Sequence, residues 1–285
     1  MGEMMNFNSV QGKVVIVTGA GSGIGNAIAG VYGAHGMKVV CADRDCERGQ
    51  AAADGIRTSG GEAVFVQADC GSADDIRRLV EAAVERFGRL DGIVNNAGIG
   101  MGGTPLHEYG IEDYDKIFNL NSKGVFAGMK YGAEAIFKSH SHGGFVINVA
   151  SVAGLVPQKG QALYTATKHG VIGMTKAAAL DYARYGITVN AICPGYTKNS
   201  IFGNAPQQAM DFFAQDCPAG HLGDPTECAA LALFLASDLA RYITGAAIPV
   251  DGALSAGHQN VSSWKHPELV GIENPGADST AAGTR

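Results

Sequence analysis

The chain has 285 residues, a net charge of -6 and 46% hydrophobic residues. This length allows one large domain or two small ones, and the even composition predicts one. Lysine and arginine form no blocks, so we expect neither nucleic acid nor an acidic membrane surface as a partner.

Membrane, export and metal-binding signals are not apparent. No apolar run reaches the roughly 20 residues that a membrane helix needs, and the first eleven residues lack the basic start and apolar segment of an export signal. The six cysteines are scattered, without Cys-x-x-Cys pairs or histidines at zinc spacing. We therefore expect no membrane association, no metal, reduced thiols mostly in or near the core, and a cytoplasmic protein.

The first predicted element is a buried parallel strand, because residues 14–17 are all β-branched. A glycine-rich turn follows, which contains Gly19, Ser22, Gly23, Ile24 and Gly25. Glycines permit a tight turn and close approach of the backbone to a pyrophosphate, and the N-terminus of the next helix attracts its charge. Strand, turn and helix in this order predict the phosphate-binding loop of a dinucleotide site.

The second predicted strand, residues 38–42, ends at Asp43. A carboxylate here can accept hydrogen bonds from the adenosine ribose hydroxyls and would repel a 2′-phosphate. Arg44 favours the opposite cofactor preference, because its guanidinium could bind that phosphate. An alternative interpretation is that Asp43 is an ordinary residue of a surface turn. We predict NAD as the cofactor, with NADP less favoured.

Asp69 follows the third predicted strand, residues 63–67. One interpretation is that Asp69 caps the next helix, which Ser72 could equally begin. A role in cofactor binding is compatible with that interpretation.

The fourth predicted strand, residues 90–94, is followed by the run Asn95-Asn96-Ala97-Gly98. After it, residues 113–140 contain a long helical stretch that is interrupted around Asn121. Asn121 could simply be a polar residue in a helix groove.

An apolar run at residues 145–150, bounded by glycines, predicts a short buried strand that places Ser151 at its carboxyl end. From Ala162 the pattern is helical, so Tyr164 and Lys168, four residues apart, lie on one helix face. An ammonium group near a phenol lowers the phenol's pKa, and Tyr164 could then act as a general base near neutral pH. A Tyr-x-x-x-Lys pattern taken alone is more often ordinary helix surface.

The spacing of Ser151, Tyr164 and Lys168 resembles the active site of the short-chain dehydrogenase/reductase family, and other motifs of that family follow in order from about Lys13 to Gly252. The resemblance implies a doubly wound parallel α/β sheet of seven strands flanked by helices. It also implies alcohol and ketone interconversion, and a homotetramer formed through the fourth and fifth helices. The catalytic residues that it implies are Asn121, Ser151, Tyr164 and Lys168.

The same resemblance implies which residues bind the cofactor. Asp69 would lie beside the adenine ring, and Thr197 and Asn199 would hold the nicotinamide and a phosphate, although Asn199 replaces the family's usual threonine. The cofactor residues implied are Gly19, Ser22, Gly23, Ile24, Gly25, Asp43, Arg44, Asp69, Asn95, Ala97, Gly98, Tyr164, Lys168, Pro194, Gly195, Thr197 and Asn199.

Residues 200–220 occupy the position of the family's variable substrate lid, and five apolar side chains occur there: Ile201, Phe202, Met210, Phe212 and Phe213. An apolar lid favours a bulky hydrophobic alcohol or ketone, such as a hydroxysteroid or bile acid. The alternative is that this helix packs on the core. Other candidates are a cyclic or aryl alcohol dehydrogenase, a sugar dehydrogenase, a 3-oxoacyl-carrier-protein reductase, and an NAD-binding regulator or scaffold without turnover.

The dinucleotide-binding domain is predicted over residues 1–254, and residues 255–285 form a C-terminal extension. The last ten residues are rich in glycine, serine, threonine and alanine, which predicts disorder. Residues 261–272 of the extension could dock on another subunit or cover the mouth of the substrate site.

Overall fold

The computed structural model describes residues 6–139, 143–198 and 206–257. Its centre is a parallel sheet of seven strands in the order β3-β2-β1-β4-β5-β6-β7. The predicted seven-stranded doubly wound fold is thereby confirmed. The strands are β1 Val14–Thr18, β2 Lys38–Asp43, β3 Glu62–Gln67, β4 Gly92–Asn95, β5 Phe145–Val149, β6 Thr188–Pro194 and β7 Ala247–Val250.

Helices connect the strands. They are α1 Gly23–Ala34, α2 Cys46–Thr58, α3 Ala73–Phe87, α4 Ile111–Phe118, α5 Val125–Ser139, α6 Ala162–Tyr182, α7 Gln207–Asp216 and α8 Pro225–Ala236. A π-helical segment, Asn119–Gly124, joins α4 to α5. The interruption predicted around Asn121 is therefore a widened turn within one continuous helical stretch, the kind of feature that often marks a functional site.

Alternate residues of the central strands supply two cores, one on each face of the sheet. Val15 and Val17 of β1 pack with α1 and α8, whereas Val14 and Ile16 pack with α3, α5 and α6. This alternation follows from the two-residue period of a strand. Because both faces are covered, β1, β4, β5 and β6 are buried along their whole length.

The strand order reverses between β1 and β4. In open parallel sheets, ligands bind in the crevice outside the carboxyl ends of the strands at such a reversal. The turns after β1, β4 and β5 all open at this edge, and they contain the glycine loop, Asn95 to Gly98 and Ser151.

The chain divides into two units, Met1–Ser255 and Ala256–Arg285. All of the strands and helices above belong to the first unit. Residues 261–272 and the ten C-terminal residues lie outside the described part of the chain, as do Ile201 and Phe202 of the predicted lid. Among the described residues, no helix has both the length and the hydrophobicity that a membrane span requires.

Candidate active site

A single cleft of about 840 Å³ lies at the carboxyl edge of the sheet. It brings together residues from the turns after β1, β2, β3, β4, β5 and β6. The predicted site residues that line it are Gly19, Ser22, Ile24, Asp43, Arg44, Asp69, Ala97, Gly98, Ser151, Tyr164, Lys168, Pro194 and Gly195.

The glycine turn depends on residues without side chains. Gly19 and Gly23 have φ of +65° and +55°, which glycine tolerates best. A Cβ on Gly25 would lie 2.2 Å from the Gly19 carbonyl oxygen, so α1 can approach β1 this closely only with glycine. Gly23 and Gly25 shape the turn without lining the cleft.

The N-terminus of α1 carries no side-chain cap, because the Ser22 side chain accepts no hydrogen bond from the helix. The first amides of α1 thus lack a side-chain acceptor, and Ser22 lines the cleft. Amides of this kind bind phosphate oxygens. This end of the cleft fits the pyrophosphate of a dinucleotide.

Asp43 sits at the end of β2 in a fixed orientation. Its Oδ2 atom accepts a hydrogen bond from the Gly21 amide at 2.9 Å, and its Oδ1 atom accepts one from the Asp45 amide at 3.0 Å. Each carboxylate oxygen retains acceptor capacity toward the cleft. Arg48 also lines the cleft here and was not predicted; its Nε atom lies 3.5 Å from Asp45.

Asp69 is not the cap of α3. That cap is Ser72, whose hydroxyl accepts from the Asp75 amide, so the capping interpretation of Asp69 is wrong. The Asp69 Oδ1 atom instead accepts from the Gly71 amide at 2.9 Å within the turn before the helix. Asp69 therefore faces the cleft as a carboxylate held by its own turn.

The two asparagines after β4 have different positions. The Asn95 side chain is buried and donates to Asn148 Oδ1 at 2.8 Å, so it ties β4 to β5 and does not line the cleft. Asn96, which the sequence prediction omitted, lines the cleft and donates to the Thr18 carbonyl at 2.8 Å. The Thr18 hydroxyl in turn accepts from the Asn96 and Ala97 amides.

Asn121 is fully buried in the π-helical segment. Its Oδ1 atom accepts from the Ile99 amide and its Nδ2 atom donates to the Ile99 carbonyl, both at 2.9 Å. A Cβ added to Gly98 would lie 3.2 Å from Asn121 Oδ1 and 3.7 Å from Lys168 Nζ. Asn121 therefore fixes the segment after β4 directly beside Lys168, although it does not line the cleft itself.

Ser151, Tyr164 and Lys168 meet in the cleft. Ser151 follows β5, is 8% exposed, and its Oγ atom accepts from the Ala153 amide at 3.1 Å. Tyr164 and Lys168 lie one turn apart on α6. The Lys168 ammonium is buried and donates to the Val149 carbonyl at 2.9 Å.

The electrostatics of these groups differ from the sequence prediction. Burial raises the pKa of the Tyr164 phenol, and the hydrogen-bonding hydroxyl of Ser151 only partly offsets this effect. Burial also lowers the pKa of Lys168 to about 8, because the charged ammonium loses water. The prediction that Lys168 lowers the phenol's pKa is not confirmed in this structure, where desolvation is the larger effect.

Of the two residues after Gly195 that were predicted to hold the nicotinamide and a phosphate, the structure describes Thr197. Thr197 is buried and does not line the cleft; its Oγ1 atom donates to the Gly195 carbonyl at 3.3 Å. Asn199 lies outside the described residues.

The cleft also contains three residues that the sequence analysis did not single out, Gln158, Gln161 and Tyr196, together with Phe213 of the predicted lid. The Tyr196 hydroxyl donates to Asp216 Oδ2 at 3.1 Å, and the ring lies 4.9 Å from that of Phe213. None of the residues of α7 is buried, so the interpretation that this helix packs on the core is wrong. The sequence did contain a signal for Gln161: it precedes Tyr164 by three residues, a spacing that places two side chains on the same face of a helix.

The described residues contain no group of three or more His, Cys, Asp or Glu side chains able to hold a metal ion. All six cysteines are unpaired, and only Cys46 is exposed.

Comparisons with known proteins agree with this geometry. A family model described as enoyl-(acyl carrier protein) reductase matches residues 19–255. The chain is 40% identical to 2,5-dichloro-2,5-cyclohexadiene-1,4-diol dehydrogenase of Sphingobium indicum over 88% of this chain and 99% of that protein. It is 38% identical to cyclohexanol dehydrogenase of an Acinetobacter species, over 89% and 99% of the two chains.

A solved structure of levodione reductase superimposes with a TM-score of 0.82 and 34% identity, covering 87% of this chain and 99% of the other. The chain therefore belongs to the short-chain dehydrogenase/reductase family, and it is an oxidoreductase that acts on CH–OH groups with a nicotinamide dinucleotide.

Proposed function

We propose that this enzyme interconverts a secondary alcohol and a ketone on a small carbon ring, with NAD as the cofactor and Asn121, Ser151, Tyr164 and Lys168 as its catalytic machinery. The observation that carries the proposal is the meeting of Ser151, Tyr164 and Lys168 in the cleft that also contains residues of the glycine turn and Asp43.

Each residue has a distinct part in the reaction. When bound, the nicotinamide ring supplies the hydride acceptor or donor. In oxidation, the Tyr164 phenolate takes the hydroxyl proton as the carbon loses hydride and the C–O bond becomes a carbonyl; in reduction, the phenol returns that proton. Ser151 holds the substrate oxygen beside the phenol. Lys168 lies 5.6 Å from the centre of the Tyr164 ring and would place positive charge near the phenolate, an effect smaller than the desolvation that raises the phenol's pKa.

The raised pKa of Tyr164 bears on the direction of the reaction. A phenol that keeps its proton at neutral pH is ready to act as the general acid of ketone reduction. Oxidation needs the phenolate, so we expect its rate to rise with pH from neutrality toward the phenol's pKa. A bound cofactor, whose nicotinamide is cationic before oxidation, would favour the phenolate.

The preference for NAD is inferred from Asp43. Its carboxylate is fixed by the Gly21 and Asp45 amides and faces the cleft. In that position it can accept hydrogen bonds from both ribose hydroxyls, and it repels the 2′-phosphate of NADP. Arg44 and Arg48 also line this end, so the charge of Asp43 is opposed by two guanidinium groups.

A single ring is the substrate that we favour over a steroid. One cleft of about 840 Å³ must hold both the dinucleotide and the substrate. Of the described apolar lid residues, Phe213 lines the cleft while Phe212 is 66% exposed. Two relatives are named for ring alcohols, cyclohexanol and a cyclohexadienediol. These points indicate that the cleft offers its substrate less apolar contact area than a four-ring steroid needs. The hydroxysteroid predicted from the sequence is tested in the same assay.

The test is absorbance of NADH and NADPH with purified enzyme and a panel of alcohols and ketones: cyclohexanol, cyclohexane-1,4-diol, a sugar, a hydroxysteroid and a bile acid. We expect turnover of the ring alcohols with NAD, reduced by about 100-fold or more in Tyr164→Phe. The matched control is Tyr242→Phe, which loses the same atom from a fully exposed side chain.

Two outcomes would contradict the proposal. Turnover of the steroid alone would show that the lid encloses a large substrate. Binding of NADH without turnover of any substrate, unchanged in Tyr164→Phe, would favour the cofactor-binding regulator.

We also propose a homotetramer in the cytoplasm. Large apolar side chains are exposed on α5 and α6: Phe126 is 53% exposed, Phe137 50% and Leu180 83%. Burying such surface against another subunit is favourable. The unpaired thiols fit a reducing compartment. A monomeric mass in solution would refute the assembly.

A further inference from the structure

Two glutamines that line the cleft have side-chain amides without a hydrogen-bond partner among the described residues. Gln158 and Gln161 both line the cleft and are partly buried. Over residues 6–139, 143–198 and 206–257, neither amide group makes a hydrogen bond. A partly buried amide gains by binding a polar group of the ligand, because it has already lost some of its contact with water.

Backbone contacts hold the turn that carries both glutamines. The backbone N–H of Gln161 donates to the backbone carbonyl of Gln158 at 3.2 Å, and this hydrogen bond closes the turn. The Gly160 carbonyl accepts from the Thr104 amide at 3.2 Å and from the Tyr109 hydroxyl at 3.0 Å. The turn is thus anchored to a segment about 50 residues earlier in the chain, and its position is defined before a substrate arrives.

Gln161 also has a fixed relation to Tyr164. It precedes the start of α6 by one residue and Tyr164 by three, so the two side chains lie on neighbouring positions of the same helix turn. A Cβ on Gly102 would lie 2.9 Å from Gln161 Cγ, 3.3 Å from its Cδ and 3.4 Å from its Nε2, so the Gly102 backbone runs alongside the side chain up to the amide. The amide at its tip has no hydrogen-bond partner among the described residues, and Gln161 lines the cleft.

An aromatic pair also lines the cleft. Tyr196 and Phe213 both line it with their rings 4.9 Å apart, and the Tyr196 hydroxyl is already bonded to Asp216. These rings therefore offer apolar surface to a substrate, while the glutamines offer polar groups. A purely hydrocarbon ring would leave both amides without partners.

We propose that Gln158 and Gln161 form a subsite for a second oxygen of the substrate, separate from the oxygen held by Ser151 and Tyr164, so that the preferred substrates are ring diols, hydroxyketones and diketones. The inference rests on the proposed ring-alcohol function and names its substrate class. An amide suits this task because its NH₂ group donates to a carbonyl and its oxygen accepts from a hydroxyl. The same subsite therefore binds the second oxygen in either oxidation state.

The experiment compares cyclohexane-1,4-diol with cyclohexanol in the wild type, Gln158→Leu, Gln161→Leu and the double variant. For each single variant we expect kcat/KM for the diol to fall about 3- to 10-fold, as for loss of one hydrogen bond, while that for cyclohexanol stays roughly constant. The matched control is Lys159→Leu, an exposed residue of the same turn that does not line the cleft. Equal loss with both alcohols, or no loss with either, would overturn the subsite.

A charge variant separates hydrogen bonding from packing. Gln161→Glu keeps an acceptor for a hydroxyl but loses the donor for a carbonyl. We expect its KM for cyclohexane-1,4-dione to rise more than its KM for the diol. A rise of the same size for both would show that Gln161 acts only through packing.

A binding measurement distinguishes failure of the subsite from failure of the proposed function. Calorimetric titration of the NADH complex with the diol and with cyclohexanol requires no turnover. Tighter binding of the diol, lost in the double variant, supports the subsite even if neither alcohol is oxidised, which would refute only the proposed reaction. Equal Kd values for the two alcohols would refute the subsite.

Discussion

The Nζ atom of Lys168 lies 5.6 Å from the centre of the Tyr164 ring, and it donates to the Val149 carbonyl at the end of β5. The ammonium is thus held between a strand end and the phenol in a place with little water. Burial lowers its pKa from the ordinary value of 10.5 to about 8.

This pKa shift predicts a pH dependence of stability. The folded-state pKa lies below the unfolded one, so between about pH 8 and pH 10.5 the unfolded chain binds more protons. Stability therefore rises with pH across that window, and the cost of burying the charge is fully present below pH 8. At 1.36 kcal/mol per pKa unit, the rise attributable to Lys168 is roughly 3 kcal/mol at most.

Lys168→Met removes this charge, so its stability relative to wild type should be greatest below pH 8 and should decline toward pH 10.5. Urea unfolding of both proteins without cofactor, at equal protein concentration, measures the difference. Lys116→Met on the exposed side of α4 is the control and should show no such trend. A difference that is constant with pH would show that Lys168 keeps an ordinary pKa.

Asp43→Asn should shift cofactor preference from NAD toward NADP. The substitution keeps an oxygen that can accept from the Gly21 amide, so the glycine turn is retained, but it removes the negative charge. Loss of charge-assisted hydrogen bonds to ribose should change the ratio of kcat/KM values for NAD and NADP by about 10- to 100-fold.

The control for this change is Glu47→Gln, which loses a nearby exposed carboxylate that does not line the cleft. It should leave the cofactor ratio unchanged. If both variants changed the ratio equally, the preference for NAD over NADP would depend on the overall negative charge of this region and not on contact between Asp43 and the ribose.

Gly128→Ala should destabilise the protein because α5 packs directly on a buried asparagine. A Cβ on Gly128 would lie 1.9 Å from Asn95 Oδ1, and Asn95 is bonded to Asn148 in the core. Overpacking of this kind costs about 1 to 3 kcal/mol. Gly55→Ala on α2 has open space and should instead stabilise by about 0.4 to 1 kcal/mol. Thermal unfolding measures the stability of both variants relative to the wild type. A Gly128→Ala variant as stable as the wild type would contradict the packing of α5 on Asn95.

Much of this architecture could be predicted because its signals are local. The β-branched residues of β1 and the glycines after them specify a strand, a turn and a helix with little help from elsewhere in the chain. Ser151 at a strand end and the four-residue spacing of Tyr164 and Lys168 are similarly local, and the structure brings all three together.

The features that could not be predicted depend on distant contacts. The direction of the Tyr164 pKa shift depends on burial by several elements, which a spacing of four residues does not reveal. The positions of Gln158 and Gln161 depend on contacts of Gly160 with Thr104 and Tyr109. Asp69 and Ser72 were equally good caps by residue type, and only the geometry of the turn selects Ser72.

The turn after β7 provides a prediction in which one substitution should raise stability. Ala253 has φ of +72°, the only described non-glycine residue with positive φ, and its amide donates to Asp251 Oδ1 at 3.0 Å. Alanine is strained in this region, by about 1 to 2 kcal/mol, because its Cβ approaches the backbone. Glycine avoids that strain but loses more entropy on folding, so Ala253→Gly should stabilise by about 1 kcal/mol.

The matched control is the same substitution in an ordinary helical conformation. Ala51 is exposed within α2, and Ala51→Gly should destabilise by about 1 kcal/mol. Urea unfolding of the two variants should therefore give free-energy changes of opposite sign. Destabilisation in both would show that residue 253 is not held in the left-handed region in solution, because only that backbone conformation makes glycine the better residue there.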